Sequence, residues 1–186
     1  MICWQCHEPT SAAVCIGCGA LQPPPAENDP YKVLNIPRVF HLDVVDIDNA
    51  WRTISRTVHP DKWAGEKAVY RRMSLQWTAL ANEARRILKD PMSRARYLST
   101  GDPKPPERGG PKLDNDFLES MFDLQMMSAN NPDMAKEQVL TMWDQEQNQL
   151  NSMFRDWEAG SGTLDGIDVI LAKLQYLKTA RTQAGA

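Results

Sequence analysis

Apolar residues in the first half of the chain recur three and four positions apart, which is the spacing of a buried helix face. One stripe comprises Ile47, Trp51, Ile54 and Val58. Asp43 precedes it and is a suitable N-cap, so the pattern predicts a helix that ends near Val58. A second stripe predicts a helix over about Glu66–Lys89 and comprises Met73, Trp77, Leu80, Ala84 and Ile87. Helices with matching stripes and a short connection are expected to pack as an antiparallel hairpin.

The second half predicts three more helices, separated by breaks at Asn130-Asn131-Pro132 and Gly160-Ser161-Gly162. The middle one spans about Pro132–Glu158, and its inward residues are Val139, Trp143, Leu150, Met153, Phe154 and Trp157. The core side of the last helix comprises Ile167, Ile170, Leu171, Leu174 and Leu177. Tyr176 is predicted on the opposite side with Val169, either simply exposed or in contact with a partner.

The first of these three helices, near Asp114–Met127, carries more apolar surface than one buried stripe needs. One face comprises Phe117, Met121 and Leu124. Another face, about 130° away, comprises Leu118, Phe122 and Met126. The surplus face is either additional core or an exposed patch for a partner.

Composition sets only broad limits. The chain has 186 residues, of which 42% are hydrophobic and 24% charged, as in ordinary globular proteins. The formal net charge of −3 gives no overall attraction to nucleic acid or to an anionic membrane. No apolar run approaches the roughly 18 residues that span a bilayer, and no signal or transit leader is recognisable.

All four cysteines lie within the first 18 residues, as CWQC and CIGC separated by HEPTSAAV. Two Cys-x-x-Cys turns can direct four thiolates at one ion, and Gly17 and Gly19 suit the tight second turn. We therefore predict a structural zinc site formed by Cys3, Cys6, Cys15 and Cys18. Disulfides or redox-active thiols, or an iron site, are the alternatives. His7 is an alternative ligand, although we expect it to be a bystander.

The loop between the first two helices lies within RTVHPDKWAG, residues 56–65. Pro60 disfavours helical geometry at His59, so this stretch forms a good turn whether or not it has a further role. Arg52 and Arg56 lie four residues apart off the buried stripe, and Lys62 follows the turn. These basic residues form either a solvated face or a contact surface for an acidic partner.

Residues Asp29–Ser99 resemble the J-domain of DnaJ-type co-chaperones. The resemblance is carried by Tyr31-Lys32-Val33-Leu34, His59-Pro60-Asp61, Asn82-Glu83-Ala84 and Asp90-Pro91-Met92-Ser93-Arg94-Ala95. It implies that His59, Pro60 and Asp61, with the adjoining basic helix, contact a heat-shock chaperone of the DnaK/HscA type and stimulate its ATPase. The alternative is a helical hairpin with a coincidental turn.

The C-terminal segments DNDFLESMFDLQ and LAKLQYLKTA resemble the bundle of HscB-type co-chaperones. In that family the bundle captures an IscU-type iron–sulfur scaffold, which implies contacts through Leu118, Phe122, Met126 and Tyr176. Glu119 departs from the family pattern, where a typical bacterial member has an apolar residue. The tetracysteine motif followed by ALQPP resembles the eukaryotic, mitochondrial branch. We therefore expect the mitochondrial matrix, with the leader missing from this sequence, and the cytoplasm as the alternative.

The expected fold is mainly α and L-shaped, with a zinc module, a J-domain hairpin with flanking short helices, and a three-helix bundle. The predicted segments are residues 1–22, a linker at 23–28, the J-domain at 29–99, a linker at 100–112 and the bundle at 113–183.

The favoured function is a non-enzymatic adaptor that delivers an iron–sulfur scaffold to a chaperone. A general J-protein with another client is the alternative. A thiol or metal enzyme is disfavoured because the three histidines, His7, His41 and His59, form no recognisable catalytic motif. Nucleic-acid binding is disfavoured because the first basic residue is Lys32. No membrane partner is expected, and self-association through residues 1–22 is left open.

Overall fold

The computed structural model describes residues 1–107 and 109–183. Within those ranges the chain is helical, and its extended pairing is limited to two isolated bridges, Ile2 with Pro9 and Val14 with Leu21. The helices are α1 (Pro30–Leu34), α2 (Val44–Val58), α3 (Ala68–Lys89), α4 (Pro91–Thr100), α5 (Asn115–Asn130), α6 (Pro132–Glu158) and α7 (Ile167–Gln183). A 3-10 turn, Pro60–Trp63, lies between α2 and α3. The predicted mainly α fold is confirmed, and no described helix is both long and apolar enough to cross a membrane.

The chain divides into two compact units, Met1–Arg94 and a second that begins at Ala95. The cysteine module, which we define as residues 1–22, belongs to the first unit together with α1, α2 and α3. It therefore packs against these helices and does not form a separate domain. The predicted domain boundaries themselves stay predictions.

Polar contacts along α2 and α3 show that the two helices run antiparallel, as expected. Asp48, near the start of α2, accepts from Arg85 at 2.7 Å and from Lys89 at 3.2 Å, both near the end of α3. One turn further along α2, Trp51 donates to Asn82, which lies earlier in α3, at 2.9 Å. Residues later in α2 thus contact residues earlier in α3, as antiparallel helices require.

The ends of α2 and α3 follow local capping chemistry. Asp43 caps α2 by accepting from the Val45 N–H at 2.8 Å, as predicted. Helix α3 begins at Ala68, two residues later than the predicted Glu66, because the Glu66 N–H still bonds the Trp63 carbonyl of the preceding turn at 3.1 Å. The short helix α1 packs on α3 and begins at an Asp29 N-cap.

In the second unit, α5 and α7 both pack against α6 to form the predicted three-helix bundle. Lys173 of α7 ties the helices together, since its ammonium lies 2.8 Å from Asp114 at the start of α5 and 3.6 Å from Glu146 of α6. The five predicted core residues of α7 are all buried. The core around Leu113 also includes Phe117, Leu124, Ala135, Val139 and Leu177.

Some predicted positions differ in degree. Trp143, Met153 and Trp157 of α6 are only partly buried, because they flank the stripe whose centre is formed by Leu150 and Phe154. Val169, predicted on the outer face of α7, is partly buried against the bundle core. The predicted linker 100–112 begins with the last residue of α4 and is otherwise irregular where described; its residue 108 lies outside the described residues.

Candidate metal and partner-binding sites

The four cysteine sulfurs of the module lie within 4.8 Å of one another, as the spacing predicts. The Sγ atoms of Cys3 and Cys18 are 3.7 Å apart, and so are those of Cys6 and Cys15. A tetrahedral ion with metal–sulfur bonds of about 2.3 Å would require sulfur separations of about 3.8 Å. All four cysteines are free thiols, so the arrangement fits a single four-thiolate metal site and not paired disulfides.

Two turns of nearly identical geometry build this cluster. In the first, the His7 N–H bonds the Cys3 carbonyl at 3.0 Å; in the second, the Gly19 N–H bonds the Cys15 carbonyl at 2.8 Å. His7 and Gly19 both take left-handed backbone angles, with φ of 63° and 71°. His7 is exposed and is not part of the sulfur cluster, which agrees with its expected role as a bystander.

The four cysteine thiols influence one another's ionisation, and a bound cation would favour the thiolate form of all four. Burial raises the pKa of Cys3, but backbone N–H groups of Cys6 and Gln5 donate to its sulfur, and with the neighbouring thiols they lower the pKa to about 6. The Glu8 N–H lowers the pKa of Cys6, but burial and the neighbouring thiols raise it to about 12. Four clustered thiols therefore resist full deprotonation among themselves, and a divalent cation removes that repulsion.

Gln22 joins this cluster to the helices and was not predicted as a functional residue. Its side chain is fully buried, and its amide nitrogen donates to the Cys3 sulfur at 3.3 Å and to the Ala20 carbonyl at 2.7 Å. Its amide oxygen accepts from the Trp4 N–H at 3.3 Å. Its main-chain carbonyl accepts from the indole N–H of Trp77 in α3 at 2.8 Å. The cysteine cluster is thereby anchored directly on α3.

The His-Pro-Asp loop, residues 59–61, is presented on the surface between α2 and α3. His59 ends α2, and Pro60 begins the 3-10 turn. The Asp61 N–H donates to His59 Nδ1 at 3.3 Å, and an oxygen of the Asp61 carboxylate lies 3.6 Å from the same nitrogen. Both side chains are exposed. One imidazole and one carboxylate are thus held together on a rigid turn and are accessible to a partner.

The predicted basic residues Arg52, Arg56 and Lys62 are all exposed. Arg52 contacts Asn49 of its own helix at 3.1 Å. Arg52 and Arg56 lie one helical turn apart, and Lys62 lies in the 3-10 turn. Their side chains are available for a partner, but whether they bind one stays a prediction.

A groove runs between α5 and α7 in the second unit. It is lined on α5 by Leu118, Met121, Phe122, Leu124, Gln125, Ser128 and Ala129, and on α7 by Tyr176, Thr179, Ala180 and Gln183. Three of the four residues predicted to bind a scaffold, Leu118, Phe122 and Tyr176, therefore converge. The Tyr176 ring is held edge-on against buried Phe117, with centroids 6.4 Å apart. Met126 is exposed but does not line the groove, and Glu119 is also exposed.

Comparisons with known proteins identify the J-domain. Residues 29–97 match the family model described as the DnaJ domain. A curated relative, the co-chaperone protein HscB homolog of Bordetella pertussis, is 48% identical over 73 residues, which are 39% of this chain and 43% of the relative. The corresponding protein of Paraburkholderia phymatum is 43% identical over 68 residues, which are 37% of this chain and 39% of the relative. These matches span less than half the length of the relatives.

Solved structures share the fold beyond the J-domain. Human co-chaperone protein HscB superposes with a TM-score of 0.79 at 22% identity, over 100% of this chain and 97% of that one. The chaperone HscB of Vibrio cholerae superposes with a TM-score of 0.65 at 22% identity, over 84% of this chain and 95% of that one. The likeness shows that this chain has the fold of these proteins, including its C-terminal bundle.

Proposed function

We propose that this protein is a co-chaperone that acts in iron–sulfur cluster biogenesis. Its similarity to HscB proteins in sequence and in fold, which agrees with the resemblance noted in the sequence, supports the proposal. The J-domain would dock on a DnaK/HscA-type chaperone and stimulate its ATPase. The bundle would hold an IscU-type scaffold. The chain would carry out no bond chemistry itself, because its contribution is to raise the effective concentration of the scaffold at the chaperone.

The observation that carries this proposal is the pairing of two exposed recognition features on one chain. The His-Pro-Asp loop presents polar groups on a rigid turn. The groove between α5 and α7 presents large apolar side chains, with Phe122 64% exposed and Tyr176 53% exposed. Clustered exposed aromatic and aliphatic groups of this kind are typical of a protein-binding surface.

The chaperone arm is tested by His59→Gln in an ATPase assay with a DnaK/HscA-type chaperone. We expect stimulation to be lost while the circular dichroism spectrum and scaffold binding are retained, because His59 is exposed and glutamine can still accept the hydrogen bond from the Asp61 N–H. His41→Gln is the matched control, since His41 is another exposed histidine of the same unit outside the loop. Full stimulation by the His59 variant would show that the loop assignment is wrong.

The scaffold arm is tested by a pull-down with an IscU-type scaffold. Replacement of Leu118, Phe122 and Tyr176 by alanine together should abolish co-purification without reducing ATPase stimulation by the J-domain. Met134→Ala is the control, because Met134 is 55% exposed on α6 and does not line the groove. Binding that survives the triple replacement would remove the groove from the proposal.

A second candidate is a J-domain co-chaperone with a different client. The observation that favours it is that the curated match to the Bordetella pertussis protein covers only 39% of this chain, whereas the human HscB structure covers all of it at 22% identity, which shows the fold alone. A stimulated ATPase together with failure of an IscU-type scaffold to bind the wild-type protein would select this candidate.

We further propose that Cys3, Cys6, Cys15 and Cys18 hold structural Zn(II), which supplies folding stability and no catalysis. Metal analysis of protein purified in reducing buffer should find one zinc per chain. The mitochondrial matrix, with the cytoplasm as the alternative, remains the proposed compartment and is tested by subcellular fractionation.

A further inference from the structure

Three aromatic rings form a continuous row from the cysteine module to the His-Pro-Asp loop, and we call them the aromatic row. They are Trp4, Tyr70 and Trp63. Tyr70 of α3 stacks on Trp63 with centroids 5.3 Å apart and planes 19° apart. Tyr70 also contacts Trp4, with centroids 5.7 Å apart and planes 54° apart. Trp63 and Tyr70 are buried, so their stacked contact is shielded from water, whereas Trp4 is partly exposed.

One end of the aromatic row fixes the loop. Trp63 is the last residue of the 3-10 turn that begins at Pro60. Its indole N–H donates to the Thr57 carbonyl in the last turn of α2 at 3.3 Å. The hydrogen bonds within the loop, such as that from the Lys62 N–H to the His59 carbonyl at 3.0 Å, lie in an exposed turn. The buried Trp63 ring therefore connects this exposed turn to the core of the unit.

The other end of the aromatic row lies inside the metal site. Trp4 lies between Cys3 and Cys6, in the first Cys-x-x-Cys turn, and its indole N–H donates to the Leu21 carbonyl at 2.7 Å. The Tyr70 hydroxyl also donates to the Gln5 side chain in the same turn. This turn has little apolar core of its own, so its geometry depends on the ion that its cysteines would hold.

We propose that Tyr70 is a positioning residue through which occupancy of the tetracysteine site orders the His-Pro-Asp loop. With the ion bound, Trp4 is held against Tyr70, which in turn holds Trp63 and the 3-10 turn. Without it, the first cysteine turn opens, Tyr70 loses its contact with Trp4, and the loop loosens. The functional consequence rests on the proposed function, because the loop matters only if it docks a chaperone. By thermodynamic linkage, if bound zinc increases the affinity of the loop for a chaperone by some factor, docking of the chaperone increases the affinity for zinc by that same factor.

The experiment is hydrogen exchange on the full chain, with Zn(II) bound and after removal of zinc by a chelator in reducing buffer. The amides of Lys62 and Ala64 report on the loop, since they bond the His59 and Asp61 carbonyls. Loss of one aromatic contact should accelerate their exchange about threefold to tenfold. Amides of α7 in the other unit should not change, which controls for general unfolding. Unchanged loop exchange after zinc removal would overturn the proposal.

Variants identify the route of the coupling. In Tyr70→Leu, loop exchange should be fast already with zinc bound, and chelation should no longer change it. Trp4→Leu cuts the row at its half-exposed end and should give the same loss of zinc dependence even if the Tyr70 variant folds poorly. Tyr31→Phe is the control, because it removes a buried tyrosine hydroxyl that bonds the Val39 carbonyl in the same unit. A zinc effect that persists in both row variants would overturn the assignment of Tyr70.

Two readouts separate this inference from the proposed function. Exchange needs no chaperone, so it tests the coupling alone. The ATPase assay tests docking: zinc-free protein should require a higher concentration for half-maximal stimulation, as should Tyr70→Leu with zinc bound. Failure of the zinc-loaded wild type to stimulate any ATPase would count against the proposed function, while a zinc-dependent loop would still support the coupling.

Discussion

Replacement of Gln22 by leucine should weaken zinc binding although Gln22 is not a ligand. Leucine has a similar volume, so packing is largely kept, but the hydrogen bond of 3.3 Å to the Cys3 sulfur is lost. Groups that bond a ligand in this way typically contribute tenfold to 100-fold in metal affinity, or about 1.4–2.7 kcal/mol. The Trp4 N–H, which is partly buried, also loses its partner, and an unpaired buried donor costs up to about 1–3 kcal/mol. The Ala20 carbonyl loses one of two donors but still accepts from the Cys15 N–H at 2.9 Å. We therefore expect zinc affinity to fall by at least tenfold.

The assay is competition for Zn(II) with a chromophoric chelator, repeated with Co(II) so that the sulfur-to-metal charge-transfer band reports on the thiolates. In the Gln22 variant this band should shift, because one thiolate has lost its donor. His7→Asn is the control, since asparagine tolerates the left-handed backbone at φ of 63° and the ring of His7 lies outside the sulfur cluster. Its affinity should match that of the wild type.

Two results would refute this reasoning. If Gln22→Leu bound zinc within twofold of the wild type with an unshifted cobalt band, the hydrogen bond to Cys3 would have no influence on the site. If His7→Asn lost as much affinity as Gln22→Leu, His7 would have to be treated as a ligand and the four-thiolate assignment would fail.

Further predictions concern binding, pH dependence and core packing. Phe122→Ala should weaken scaffold binding by at least tenfold. The Phe122 side chain is 64% exposed, which is about 130 Å² of roughly 200 Å², and burial of this area in the complex would contribute up to about 3 kcal/mol. Titration calorimetry with Met134→Ala as the control tests this. The Arg85 guanidinium lowers the pKa of Asp48, so the stability of the wild type should decrease as the pH falls below about 4. In thermal melts, Asp48→Asn should be less stable than the wild type at pH 7, and its melting temperature should depend less on acid. Phe154→Ala should destabilise the bundle by about 3–5 kcal/mol in urea unfolding, because the side chain is fully buried.

Helix periodicity predicted most of the fold because each helix buries one stripe. The bounds of α6, Pro132–Glu158, follow directly from Asn131-Pro132 at one end and the glycine-rich break at the other. The degree of burial was less predictable. Trp143 and Trp157 lie at the edges of the stripe, where a large ring is only partly buried. Sequence periodicity gives the direction of a side chain but not the reach of the neighbouring helix.

The cysteine cluster was predictable because its residues lie close together in sequence and share one chemistry. Its connection to the helices was not, because the partners are distant in the chain. Gln22 and Trp77 are 55 residues apart, and Gln5 and Tyr70 are 65 residues apart. Neither a buried glutamine nor a tyrosine on a core stripe carries a local signal for such a role.

The equivalence of the two cysteine turns was also hidden from sequence reasoning. The left-handed residue after each pair is His7 in one turn and Gly19 in the other. Glycine at that position is expected, since it takes this conformation without steric cost. Histidine at this position does not predict a left-handed backbone from sequence, because its ring next to Cys6 suggests a metal ligand instead.

The position of Met126 gives a final prediction about the scaffold-binding surface. Helical spacing places Met126 on the same face as Leu118 and Phe122, one turn further along α5. The groove nevertheless continues past Phe122 through Gln125, Ser128 and Ala129 without Met126. Met126→Ala should therefore weaken scaffold binding by less than threefold, well below the effect of Phe122→Ala in the same calorimetric assay. An equal or larger loss at Met126 would contradict this expectation and extend the binding surface beyond the groove to the outer face of α5.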